Sequence, residues 1–102
     1  MSKLHSIKSI QHENDHIIIS FVNDWYQEDI KTLNPLILST VEGYQIKEHT
    51  LGADRETIRF TWQTTEFLLN FDYYSQSCWI DAHDVKSQTS MLTLYRQIKI
   101  YV

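Results

Sequence analysis

His12-Glu13-Asn14-Asp15-His16 spells H-E-x-x-H. On a helix that spacing sets two imidazoles on one face around a zinc ion, with the Glu as general base. The surroundings here argue otherwise. Asn14-Asp15 is a turn-forming pair, and three isoleucines follow directly. We expect a polar hairpin turn flanked by two histidines, with His12 and His16 as weak metal candidates at most. Cys78 is the single cysteine. His49 or His83 could serve it as base and Asp81 or Asp84 as orienter, but no spacing demands this, and a free cysteine is ordinarily a small buried apolar residue. Asp81, His83 and Asp84 crowd a strand end, where a solvated turn with a helix cap accounts for them.

Two further groups suit binding better than catalysis. Asp54 and Arg55 stand in a glycine-led loop. Trp25, Tyr26, Tyr73, Tyr74 and Trp79 are more aromatics than two short helices readily cover, and uncovered aromatics anchor interfaces. From these we expect a binding surface that includes Asp54, Arg55, Tyr74 and Trp79.

Composition narrows the function classes. The 102 residues carry 9 Lys and Arg against 13 Asp and Glu, a net charge of −4. That balance repels phosphate backbones and anionic lipid, so neither nucleic acid nor membrane is an expected partner. One cysteine allows no internal disulfide and no cysteine-only zinc site. The first residues lack an apolar core of secretory type, and no apolar run reaches membrane-spanning length. We expect a cytoplasmic protein with no cofactor, folded as one domain over residues 1–102.

The elements that must position these groups centre on residues 56–82. Ile58, Phe60 and Trp62 alternate with Thr57, Arg59 and Thr61, and Phe67, Leu69, Phe71 and Tyr73 alternate with Glu66, Leu68, Asn70 and Asp72. Two strands with one aromatic and one polar face follow. The connection at Gln63–Glu66 lacks an Asn-Gly pair, so a loop longer than two residues is expected. A third strand covers Cys78–Ala82. An inward Asp81 is costly, so Cys78 and Ile80 face the core and Trp79 the open side. Upstream, Lys3–Ile10 pairs with His16–Val22, with Ile17, Ile19 and Phe21 inward. Asp24 with Gln27 approximates a capping box for a helix reaching toward Gly43, and Pro35 either kinks it or starts a second helix. Tyr44–Leu51 is a strand, and Gly52–Arg55 a loop. A helix from about Ser87 to Lys99, with Val85, Gln88, Tyr95 and Ile98 on one face, closes the chain. The rival is a strand ending at Val102, which would turn Arg96 inward. The order ββ-α-ββββ-α predicts a two-layer α+β fold, a mainly antiparallel sheet of five or six strands with two helices on one face.

The loop Gly52-Ala53-Asp54-Arg55, the aromatic strand pair and the segment Tyr74-Ser75-Gln76-Ser77-Cys78-Trp79 resemble a family of small bacterial proteins, a domain of unknown function found mainly in gammaproteobacteria. The resemblance runs from about Trp25 to Ile98 and leaves out the N-terminal hairpin. It implies a cytosolic bacterial protein and brings no catalytic residue with it. The leading expectation is a non-enzymatic module that binds another protein or itself. The alternative is a small-ligand or metal-dependent enzyme built on His12/His16 or Cys78/His83.

Overall fold

A computed structural model of the chain describes residues 7–99. Six strands form one antiparallel sheet: β1 (Ile7–Glu13), β2 (His16–Phe21), β3 (Gln45–Leu51), β4 (Arg55–Trp62), β5 (Thr65–Asp72) and β6 (Ser77–Ala82). Their order across the sheet is β1-β2-β6-β5-β4-β3. A 3-10 turn, Gln27–Asp29, leads into α1 (Ile30–Ile37), and α2 (Val85–Gln88) and α3 (Met91–Lys99) follow β6. The expected α+β order holds, with the last helix in two pieces. The expected strand at residues 3–10 lies partly outside the described residues, and its described part continues to Glu13. The rival final strand also reaches beyond them, but Met91–Lys99 is helical.

Alternation sets the sheet's two faces. Ile10, Ile17, Ile19, Cys78, Ile80, Phe67, Leu69, Phe71, Ile58, Phe60 and Trp62 are buried on one side. The helices add Ile30, Leu33, Ile37, Met91, Leu94 and Ile98 to the same cluster. A fully buried side chain of this size contributes roughly 1.5–3 kcal/mol, so this face outweighs any local preference along the chain. Phe60 stacks on Phe67 across the β4–β5 ladder, with ring centroids 5.5 Å apart.

Four local features depart from expectation. The β4–β5 connection is a two-residue turn, since Trp62 pairs with Thr65. Gln63 and Thr64 both adopt positive φ, 53° and 62°. The right-handed strand twist demands that geometry even without glycine. Second, the helix does not start at an Asp24 cap. Tyr26 N–H donates to Asp29 Oδ2 at 2.8 Å, because burial of Trp25 holds the chain extended two residues longer. Third, α1 stops at Ile37 rather than near Gly43, and Pro35 sits inside it. The proline starts no new helix, and Leu38 N–H still reaches Asn34 C=O at 3.2 Å. Fourth, Val85 is 78% exposed rather than on the core face. The break between α2 and α3 resets the helical phase, and Leu94 N–H bonds to Ser90 C=O at 3.0 Å.

Two side-chain amides hold the helix layer down. Gln76 bridges to the backbone at Trp25, and Gln97 Nε2 donates to Thr40 C=O at 2.6 Å while Thr40 Oγ1 donates to Gln97 C=O at 2.8 Å. Each ties the β2–β3 crossover to a distant element. The helix side of β3 receives no such cover, and all seven of its residues are exposed.

Candidate functional site

The sheet face without helices carries the polar chemistry. His16 on β2 and Asp81 on β6 are directly paired across the ladder. His16 Nδ1 donates to Asp81 Oδ1 at 2.5 Å. Asp81 Oδ2 accepts from Trp79 Nε1 at 3.0 Å and from Asn70 Nδ2 at 3.3 Å. Asn70 Oδ1 in turn accepts from Thr57 Oγ1 at 2.9 Å. Asn70 is only 5% exposed on a face that alternation marks as solvated. Neighbouring Trp79 and Leu68 shield it, and its hydrogen bonds compensate the burial. The donation from Nδ1 leaves His16 Nε2 as the ring's remaining polar atom. Grooves of about 370 Å3 and 320 Å3 flank the imidazole. Ile18, Ser20, Ser77 and Trp79 line the first; Asp15, Leu68 and Gln88 line the second.

Further along this face, Arg59 donates to Glu66 Oε1 at 2.7 Å and to Glu48 Oε1 at 3.3 Å. These two carboxylates hold the guanidinium pKa up, the Glu66 hydrogen bond most. His83 Nε2 lies 3.7 Å from Glu66 Oε1.

The residues marked in the sequence separate into those the fold unites and those it does not. His12 and His16 do not converge. His12 pairs with Ile17, on the helix side, and packs on Tyr95 with centroids 5.5 Å apart. His16 pairs with Glu13 across the two-residue turn and faces the open side. The hairpin turn sets Glu13, not His12, opposite His16, so H-E-x-x-H points its histidines to opposite faces. Cys78 is buried, and desolvation pushes its thiol well above the ordinary range. It faces the core, whereas Asp81 faces the open side, so they form no nucleophile–orienter pair. Asp84 caps α2, accepting from Ser87 N–H at 2.8 Å. That bond, with the Ser87 hydroxyl, lowers its pKa. His49 pairs with Glu56, a carboxylate buried on the helix side at the end of β4. Among the described residues, no three His, Cys, Asp or Glu side chains gather where a metal ion could be held.

Asp54, Arg55, Tyr74 and Trp79 do come together. The Arg55 guanidinium lies over the Trp79 ring, 5.2 Å from its centroid. Arg55 Nη2 stands 3.9 Å from Asp72 Oδ2. Asp72 Oδ1 accepts from Tyr74 N–H at 3.1 Å, and Tyr73 N–H donates to Asp54 C=O at 3.0 Å. The β3–β4 and β5–β6 loops thus sit side by side at one end of the sheet. Val22, Tyr26 and Leu51 project at the same end, and Tyr74 is 89% exposed.

The His16–Asp81 contact and the buried Asn70 were not foreseen. His16 and Asp81 are far apart in the chain, and only the unread pairing of β2 with β6 joins them. Asn70 was read correctly as open-face; its burial depends on neighbours that alternation does not reveal. Glu56 is different. It shares parity with Ile58 and Phe60, so its place on the apolar side was available from the alternation.

No helix among the described residues is long and apolar enough to cross a membrane. No curated protein and no solved structure matches the chain. A family model described as a protein of unknown function, DUF3630, matches residues 6–97. That span takes in the N-terminal hairpin, which the resemblance from Trp25 onward had excluded. The chain belongs to the DUF3630 family.

Proposed function

We propose that the protein is a non-enzymatic module that binds another protein through the loop end of its sheet. The observation that carries this reading is that exposed Val22, Tyr26, Leu51 and Tyr74 are spread along that end of the sheet, with Arg55 stacked over Trp79. Tyrosine, tryptophan and arginine, here Tyr26, Tyr74, Trp79 and Arg55, are the residue types enriched in energetically dominant contacts. Asp54 supplies a polar rim that sets orientation more than affinity. The enzymatic alternative finds less support. Asp81 already accepts three hydrogen bonds, and Cys78, although it borders the first groove, is buried with the core residues of the sheet.

A photo-crosslinking side chain placed at Tyr74 in living cells tests the reading, with Val85 at the opposite end of the sheet as control. The expected result is a discrete protein adduct from position 74 that is absent at position 85 and lost with R55E. Identical adducts at both positions, or none from position 74, would overturn it.

A further inference from the structure

We infer that two copies of this chain join edge to edge through β3, giving one continuous sheet with both helix layers on the same side. β3 is an edge strand, and all seven of its residues are exposed. Such an edge is a template for another strand unless something restricts it. Here the restriction selects a single register.

The selection comes from the bulge. Ile46 pairs with Phe60 and Glu48 with Arg59, so Lys47 is the extra residue. A bulge breaks the simple alternation. Gln45, Glu48 and Thr50 therefore stand on the open face, opposite Thr61, Arg59 and Thr57. Lys47 joins them, since its Nζ donates to Gln45 Oε1 at 3.1 Å. Ile46, His49 and Leu51 face the helix side, as does Tyr44, which packs edge-on against Phe60.

An antiparallel two-fold pairing must place like-facing residues opposite one another. With the axis between Lys47 and Glu48, every pair agrees. Tyr44 meets Leu51 of the second copy and Ile46 meets His49, all on the helix side. Gln45 meets Thr50, and Lys47 meets Glu48, all on the open side. Sliding one copy by a residue in either direction sets helix-side groups against open-side groups. The register also brings together the apolar side chains that the helices leave bare, Ile46 and Leu51. It sets two opposite-charge pairs at the centre. Lysine and a bulge ordinarily deter strand addition; here they reject the neighbouring registers and admit this one. Leu51 is shared with the loop-end surface, but Tyr26 and Tyr74 take no part, so crosslinking from Tyr74 and the dimer Kd read the two proposals separately.

Sedimentation equilibrium of the full chain over a range of concentrations tests it, with circular dichroism to confirm that each variant is folded. The expected result is a monomer–dimer equilibrium. K47E or E48K alone places like charges opposite each other twice per dimer and should raise the dimer Kd by about tenfold or more. K47E leaves the Glu48–Arg59 contact in place, so it reads the interface even where E48K disturbs the strand. The K47E/E48K double variant restores the complementarity and should return Kd to within about threefold of the parent. A monomer at every concentration, a dimer indifferent to both single changes, or a double variant as weak as the singles would each overturn the proposal.

Discussion

The Gln76 side chain holds the backbone of Trp25 as a strand neighbour would. Gln76 Oε1 accepts from Trp25 N–H at 2.9 Å, and its Nε2 donates to Trp25 C=O at 2.7 Å. Trp25 is fully buried, edge-on to Phe71 at 5.5 Å. The clasp therefore fixes where the chain leaves β2 and where the helix layer begins.

Q76A should cost about 1–3 kcal/mol, because it strands two backbone groups against a packed core. Q76E keeps an acceptor for Trp25 N–H but loses the donor, and is expected to be destabilised as well. Gln76 has φ of 59°, so Q76G relieves backbone strain and should fall less far than Q76A. Urea denaturation of the three variants measures this. Equal stability of Q76A and the parent would mean the clasp is ornamental.

The β4–β5 turn works in the other direction. Thr64 is β-branched at φ of 62°, a conformation that side chains of its kind rarely adopt. T64G should stabilise the protein by about 1 kcal/mol, and Q63N/T64G should do at least as well. Thermal melts decide it; a lower Tm for T64G would show that the Thr64 hydroxyl, 2.5 Å from Gln63 C=O, outweighs the strain.

Cys78 should resist modification in the native protein. Its burial both blocks access and keeps the thiol protonated well above the ordinary range. Reaction with an aromatic disulfide reagent near pH 8 is expected to proceed only as fast as the protein opens, and to become immediate in denaturant. Prompt native labelling would contradict the placement of Cys78 beneath the sheet.

Acid should weaken the cap of α2. The Ser87 backbone N–H and hydroxyl hold the Asp84 carboxyl below its ordinary value of 3.8. A lowered folded pKa means the unfolded chain takes up the proton first as pH falls. The contribution is thus complete above about pH 4 and disappears as pH drops through the lower folded value. Comparing D84A with the parent from pH 7 to pH 2 should show a stability gap that closes only at the acid end. A gap independent of pH would assign the role of Asp84 to something other than its charge.

Much of the architecture was legible because it rests on period two. Ile17-Ile18-Ile19 favours a strand over a helix, and Phe60, Trp62, Phe67, Leu69 and Phe71 fall on one face of the sheet. What alternation does not carry is the identity of the neighbouring strand. His16 met Asp81 through that unread step, whereas the H-E-x-x-H string lost its apparent meaning at the hairpin turn that Asn14-Asp15 had announced. The helix start escaped for a related reason. Asp24 offers a good cap, but tertiary burial of Trp25 overrode the local preference and moved the entry to Tyr26. The loop residues Asp54, Arg55, Tyr74 and Trp79 were selected one by one, and the adjacency of two loops gathered them.

The ladder between β2 and β6 has a consequence during synthesis. Translation makes β2 early and its inner neighbour last of all the strands. Until Ser77–Ala82 has left the ribosome, the isoleucines of the first hairpin have a partner on one flank alone. The first hairpin therefore remains an uncovered apolar ribbon while α1 and β3 to β5 are made, and completion of the sheet waits on β6.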